Sequence, residues 1–147
     1  MGRISTSDTG LAYLSGLTAL HGLGLKRTRI TGKGLVHLKS LASLRALDIS
    51  ETSTTGPELA HLKDMAIPLL ELNGRQATDA TVKHLRGMRC LTNLILNDTQ
   101  ITDAGLEHLK ELPNLIYLRL GSDRVTSKGV KNLQQSLPNC NIERHVP

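Results

Sequence analysis

The sequence predicts a right-handed α/β solenoid of six repeats of about 24 residues each. Three observations support this class. A hydroxyl residue recurs at steps of 24, 24, 23, 24 and 24; an apolar triplet at a spacing of about three follows each one; and an LxxLxL-type run follows the first five triplets. A repeat is sought before single elements are assigned, so this period decides the fold. The recurring hydroxyl residues are Ser7, Thr31, Thr55, Thr78, Thr102 and Thr126.

The fifth repeat shows why each triplet predicts a helix. Thr102 precedes the apolar residues and can cap the first amide groups. Asp103 follows in the first turn, where the helix dipole favours negative charge. Pro113 cannot continue the helical hydrogen bonds and is expected to end the helix. The apolar face is formed by Leu106, Leu109 and Leu112.

A short strand is expected to follow each helix. In the fifth repeat, Leu118 and Leu120 alternate with Tyr117 and Arg119, the period of a half-buried strand. All repeats run in the same sense, so the strands pair in parallel. Strands lie about 4.8 Å apart and packed helices about 8–10 Å apart. This mismatch predicts a curved coil with the sheet on the concave face and the helices on the convex face.

The predicted solenoid forms one domain over residues 1–147, with repeats that start near positions 4, 28, 52, 75, 99 and 123. The sixth repeat is expected to hold at most a rudimentary strand at Asn141–Glu143. The first begins at Ile4 with no preceding strand, so its uncovered apolar surface predicts possible self-association.

Composition narrows the class further. The chain has no Trp, no Phe and two Tyr, which predicts an aliphatic core. Cys90 and Cys140 are too few for a disulfide framework, so reduced, partly buried thiols are expected. No apolar run reaches 18 residues and no secretory h-region is present. We therefore expect a cytoplasmic protein without membrane contact, with a secreted effector as the alternative.

The string TQITDAGLEHLKELPNLIYLRL, which starts at Thr99, resembles bacterial leucine-rich repeats of the pattern T-x-[IV]-[ST]-D-x-G-L-x-x-L. Its register is also similar to the cysteine-containing repeats of F-box ubiquitin-ligase adaptors. The resemblance implies a horseshoe fold and protein–protein recognition. The Asn that usually follows the strand is replaced, and a Thr hydroxyl there can bond backbone in the turn. The replacing residues are Thr28, Thr52, Arg75, Thr99 and Asp123.

The concave strand positions are the ones that the fold leaves free for binding. One predicted column is Gly22, Ala46, Leu69, Asn93 and Tyr117, and the other is Gly24, Asp48, Glu71, Ile95 and Arg119. Tyr and Arg are enriched at binding hot spots, and apolar residues stand where solvent is expected. The predicted contact patch for a protein or peptide partner is therefore Leu69, Glu71, Ile95, Tyr117 and Arg119.

Two alternatives remain open. The chain can be a segment of a larger effector or ubiquitin-ligase adaptor whose activity lies elsewhere. The second alternative, less favoured because aromatic platforms are missing, is nucleic-acid binding by the basic N-terminal end. Residues 1–50 carry a formal charge of +5, whereas the remainder is neutral. The basic patch is Lys26, Arg27, Arg29 and Lys33.

No catalytic pattern is present: the chain has no GxSxG, no phosphate-binding glycine loop and no CxxC. We therefore expect neither enzyme activity nor a cofactor. Asp48 and Glu71 share a column but are too few for a calcium site. Four histidines share one repeat position about 10 Å apart, too far to hold one zinc ion. They are His37, His61, His84 and His108, and no metal site is predicted.

Overall fold

The computed structural model describes residues 6–54 and 56–145. Thr55 and Ile4, used above to place repeats, lie outside these ranges. Within them, six strands form one parallel sheet in which chain order is also spatial order. Each crossover is one repeat long, and such parallel crossovers are right-handed. The strands are β1 (Gly22–Gly24), β2 (Ala46–Asp48), β3 (Leu69–Glu71), β4 (Asn93–Leu96), β5 (Tyr117–Gly121) and β6 (Asn141–His145).

The helical segments differ in type along the chain. Four are α-helical: α1 (Asp8–Ala12), α2 (Asp79–Lys83), α3 (Asp103–Leu109) and α4 (Ser127–Ser136). The second and third repeats form 3₁₀ helices at Gly32–Ser40 and Pro57–Leu62, and a short one at Tyr13–Gly16 follows α1. A 3₁₀ helix has three residues per turn, so apolar residues spaced by three fall on one line. In the second repeat that line is Leu35, Leu38 and Leu41, all buried.

The expected end of the fifth helix was wrong. α3 ends at Leu109, not beside Pro113. The Leu112 amide donates to the Leu109 carbonyl at 3.1 Å, an i to i−3 bond that tightens the chain into a turn before the proline is reached.

The core is one aliphatic column that runs through the repeats. Leu47, Leu70, Leu94 and Leu118 are directly paired across β2 to β5 and are at most 1% exposed. This confirms the predicted parallel pairing of equivalent strands. Leu17, the third apolar residue of the first triplet, is 51% exposed, although it follows its 3₁₀ helix with nearly the same backbone angles as the buried Leu41.

The sixth strand was underestimated. β6 has five residues and pairs with β5 along its whole length, from Tyr117–Asn141 to Gly121–His145. Ile142 lies 24 residues after Leu118 and directly beside it, so the period continues for one more strand.

Carboxylates that cross between repeats tie neighbouring helical segments together. Asp79 accepts hydrogen bonds from the Thr102 amide at 2.8 Å and the Thr102 hydroxyl at 2.7 Å. The same hydroxyl accepts from the Ala104 amide at 3.2 Å, which confirms the predicted cap. Asp103, expected only to complement the helix dipole, also accepts the same two hydrogen bonds from Thr126 of the next repeat. The three pairs are Asp8–Thr31, Asp79–Thr102 and Asp103–Thr126.

Threonines in the turns after the strands behave as expected. The Thr28 hydroxyl donates to the Leu25 carbonyl at 2.6 Å, and the Thr52 hydroxyl donates to the Ile49 carbonyl at 2.7 Å. These bonds satisfy turn carbonyls that an Asn amide satisfies in the more familiar repeat.

Candidate functional site

The solvent-facing side of the sheet carries the two predicted columns. The strand pairing places Leu69, Asn93 and Tyr117 side by side in the first column. It places Glu71, Ile95 and Arg119 side by side in the second. The five residues of the predicted patch therefore lie on three adjacent strands, β3, β4 and β5, and form one continuous surface.

The exposure of this patch is graded. Leu69, Glu71, Ile95 and Tyr117 are half-buried, whereas Arg119 is exposed. The two aliphatic side chains rest on the sheet and keep part of their surface in solvent. A partner can therefore bury the apolar side chains and form hydrogen bonds with the Arg119 guanidinium in the same contact.

Glu143 belongs to this surface, and sequence reasoning missed it. The Tyr117 hydroxyl donates to Glu143 Oε2 at 2.8 Å, and Arg119 Nε lies 3.9 Å from the same oxygen. The hydrogen bond to the carboxylate raises the pKa of Tyr117, because it stabilises the protonated phenol. Glu143 lies 24 residues after Arg119 and pairs with it. One more step of the period identifies it, once the sixth strand is taken as complete.

A polar ladder borders the patch where the strands end. The backbone N–H of Asn73 donates to Ser50 Oγ at 3.0 Å, and the backbone N–H of Asn97 donates to the side-chain oxygen Oδ1 of Asn73 at 2.7 Å. A Cβ added to Gly121 would lie 3.0 Å from the Asn97 Cα, so a side chain at this position would crowd the neighbouring backbone. The ladder fixes the edge of the concave face and was not predicted, because its members differ in type.

The predicted basic patch is partly neutralised. Glu51 contacts Lys26 Nζ at 3.4 Å and Arg27 Nε at 2.5 Å. The hydrogen bond from Arg27 holds the pKa of Glu51 below its usual range. Arg29 and Lys33 are exposed, and Lys33 lies on the 3₁₀ helix rather than beside the strand ends. The four cations are therefore divided between two surfaces.

Among residues 6–54 and 56–145, no group of three His, Cys, Asp or Glu side chains converges as a set of metal ligands. The two cysteines are free and differ in environment. Cys140 is buried, and burial raises the pKa of its thiol. Cys90 is exposed, so the expectation that it is partly buried was wrong. It lies in the loop between Met88 and Leu91, whose side chains take the core positions.

The parallel sheet, the helical crossovers and the stacked leucines define a leucine-rich-repeat solenoid. Its fold is similar to that of an internalin from Listeria monocytogenes, with 20% identity, a TM-score of 0.59 and coverage of 90% of this chain and 36% of that one. It is also similar to a leucine-rich-repeat protein of Leptospira interrogans, with 24% identity, a TM-score of 0.57 and coverage of 90% and 33%.

The chain thus spans about a third of the length of these two proteins. At such identities the likeness shows the fold alone. No protein-family model matches the chain, and no curated protein matches it either. Of the helices in the described part of the chain, none is both long and apolar enough to cross a membrane.

Proposed function

We propose that this protein is an interaction module whose concave sheet face binds a protein or peptide partner. Leucine-rich-repeat folds generally mediate protein–protein interactions. The observation that carries the proposal is that Leu69, Ile95 and Tyr117 lie on three adjacent strands, half-buried on the open face of the sheet, with Arg119 beside Ile95. These apolar side chains are not needed for the core, which is completed by the opposite columns.

The contacts of Glu143 support the proposal further. A side chain that is ordered before binding loses less conformational entropy when a partner arrives. The Tyr117 hydroxyl is held by a hydrogen bond to the carboxylate of Glu143, and Arg119 lies 3.9 Å from the same oxygen. Tyr and Arg are also the residue types that most often dominate binding energy. We therefore assign the centre of the interface to β4 and β5.

The two alternative functions, nucleic-acid binding and a place within a larger effector or adaptor, receive less support. Glu51 neutralises part of the basic patch, which weakens the case for nucleic-acid binding. A place within a larger effector or ubiquitin-ligase adaptor is compatible with the same concave face, which would then select the partner of that larger protein. The fold does not favour the adaptor type over other leucine-rich repeats.

Self-association through the first repeat is a second proposal. Tyr13 is 84% exposed and Leu17 is 51% exposed on neighbouring turns, which leaves apolar area available to a second copy. Light scattering after size exclusion, at increasing concentration, tests it. We expect a rise in mass that is abolished by Leu17→Glu; a constant monomer mass would contradict the proposal.

The concave-face proposal is tested by affinity capture and quantitative mass spectrometry. The wild type is compared with Ile95→Glu, with Tyr117→Ala and with the matched control Val36→Glu. Val36 is 44% exposed on the 3₁₀ helix of the second repeat, so its replacement adds the same charge on the helical side. We expect a set of proteins retained by the wild type and Val36→Glu and lost from both concave variants. An identical set on all four proteins would contradict the proposal.

A further inference from the structure

The sheet face over β1 and β2 is nearly bare. Gly22 and Gly24 carry no side chain, and Ala46 beside them has only a methyl group. Next to this bare area the Leu69 side chain rises from β3. The result is a hollow of about 210 Å³ in the concave face, adjacent to the predicted contact patch.

The floor and the rim of this hollow differ in chemistry. The floor is formed by Gly24, the Ala46 methyl group and the backbone of Leu23 and Leu47, whose side chains face the core, with the Leu69 side chain at one side. The rim carries two carboxylates, Asp48 on β2 and Glu71 on β3. These two residues are directly paired across parallel strands. Like charges at paired positions repel each other and destabilise the sheet modestly unless a cation lies between them.

Each carboxylate uses one oxygen within the protein. Asp48 Oδ1 accepts from the Ser50 amide at 2.9 Å, and Glu71 Oε2 accepts from Asn73 Nδ2 at 3.4 Å. In the described ranges, Asp48 Oδ2 and Glu71 Oε1 accept no hydrogen bond, and neither residue forms an ion pair. Lys26, one column away, is paired with Glu51 instead. The two carboxylates are thus positioned while retaining acceptor oxygens that face solvent.

We propose that this hollow binds a Lys or Arg side chain from an extended segment of the partner protein. The aliphatic stem lies on Ala46 and against Leu69, and the cationic head bridges Asp48 and Glu71. Long basic side chains bury their stems along apolar surface in this way. The inference rests on the proposed concave-face function and specifies the chemistry of the partner.

Two other occupants fit the hollow less well. Calcium takes six to eight oxygen ligands, and two carboxylates supply too few. Small-molecule pockets usually measure about 300–1,000 Å³, which exceeds the 210 Å³ found here. One long side chain matches both the size of the hollow and its division into an apolar side, Ala46 and Leu69, and an acidic rim.

Charge complementarity is local rather than global. The concave columns hold three carboxylates, Asp48, Glu71 and Glu143, against the single guanidinium of Arg119. The whole chain has a formal charge of +5. Attraction by the net charge would therefore favour acidic ligands. A preference for a basic ligand would then have to come from the local charges of the concave face.

The geometry also sets the spacing within the partner. The basic head lies between β2 and β3, and Ile95 and Tyr117 lie on β4 and β5, so the two contact points are two strand separations, about 10 Å, apart. A chain in the extended polyproline II conformation covers this distance in about three residues, and its side chains three apart point to the same side. A partner that crosses the strands is therefore expected to place an apolar residue on Ile95 and Tyr117 three positions from its basic residue.

The test is selection of random peptides displayed on phage against the immobilised chain, followed by sequencing. We expect enrichment of peptides with Lys or Arg about three positions from an apolar residue. The selected peptides are synthesised, and their affinity is measured for wild type, Ile95→Glu and the double variant Asp48→Asn with Glu71→Gln. The double variant keeps one acceptor oxygen and the size of each side chain, and replaces the charged second oxygen by a neutral NH2 group. We expect it to weaken binding by about tenfold to a hundredfold, as for loss of charge-assisted hydrogen bonds.

The outcomes separate the two proposals. Peptides that bind all three proteins equally would contradict concave-face binding itself. Peptides lost from Ile95→Glu that lack a basic residue, or that bind the double variant unchanged, would overturn only the assignment of the hollow. Calcium chloride titrated by calorimetry gives a further check. A heat of calcium binding that the wild type shows and the double variant lacks would mean that the hollow binds a metal ion instead of a basic side chain.

Discussion

The carboxylate of Asp103 occupies the space that a side chain on Gly129 would need. The three heavy atoms nearest to a Cβ built on Gly129 are Cγ and the two carboxylate oxygens of Asp103. That carboxylate is held in place by the amide of Thr126 at 2.8 Å and its hydroxyl at 2.5 Å. The aspartate of one repeat therefore requires the glycine of the next.

This relationship recurs along the solenoid. A Cβ on Gly34 would lie 2.5 Å from Asp8 Oδ1, and one on Gly105 would also meet the Asp79 carboxylate. In the second repeat, Gly32 stands at the position of the aspartate. The third repeat then has Glu58 in place of the glycine, and the Glu58 Cβ lies in the space next to Gly32. The D and the G of the T-x-[IV]-[ST]-D-x-G-L pattern are thus partners across a repeat junction.

A double-mutant cycle tests this pairing. In the wild type, Gly129→Ala is expected to reduce the free energy of unfolding by about 1–3 kcal/mol, because Asp103 must leave its hydrogen bonds. In an Asp103→Ala background the obstructing atoms are gone. The same change is then expected to stabilise by about 0.5–1 kcal/mol through helix propensity. Urea denaturation measures both; the same sign in both backgrounds would contradict the pairing.

Acid titration tests the same carboxylate independently. The hydroxyl and amide of Thr126 lower the pKa of Asp103 below its unfolded value. The resulting stability is present above the unfolded pKa and is lost as pH falls through the lower, folded pKa. Carboxyl ¹³C NMR is expected to show a higher Asp103 pKa in Thr126→Val than in the wild type. An unchanged pKa would mean that the hydroxyl does not hold the carboxylate.

The bond between Tyr117 and Glu143 predicts a shift at high pH. Glu143 raises the folded pKa of Tyr117, so this contribution is present below the unfolded pKa and is lost as pH rises through the folded value. Labelled tyrosine ζ-carbon NMR should show a lower Tyr117 pKa in Glu143→Gln, which removes the negative charge. Equal pKa values in the two proteins would indicate that the contact is not maintained in solution.

The cysteines should differ in reactivity. Cys90 is exposed, whereas Cys140 is buried and has a raised pKa. Because the thiolate is the reactive form, Ellman's reagent is expected to label Cys90 rapidly in the native protein and Cys140 only after unfolding. Cys90→Ser should remove the fast phase and Cys140→Ser should leave it. Two fast thiols in the wild type would place Cys140 at the surface.

The period of the sequence predicted most of the fold, since Leu47, Leu70, Leu94 and Leu118 each satisfy the same local geometry. It also predicted which strand positions face solvent, because strand side chains alternate between the two faces. Helix type and helix ends were harder to predict. Leucines spaced by three suit both 3₁₀ and α-helical turns, and Pro113 lies beyond the point where the chain has already tightened.

The parts of the site that escaped prediction depend on contacts between repeats. Glu143 was missed because its strand is polar and was expected to be rudimentary, although it lies one period after Arg119, with which it pairs. The neutralisation of Arg27 by Glu51 joins residues 24 positions apart in two turns, which no local pattern signals. The hollow beside Leu69 results from small residues on two other strands, so its volume is a property of the assembled face.

Photo-crosslinking tests most directly whether the concave face is the binding surface. p-Benzoylphenylalanine is placed at position 95 on β4 and, as the matched control, at position 36 on the helical side. After illumination in lysate, we predict a crosslinked partner from position 95 that is competed by unmodified wild-type protein, and none from position 36. Competed crosslinks from position 36 alone would contradict concave-face binding.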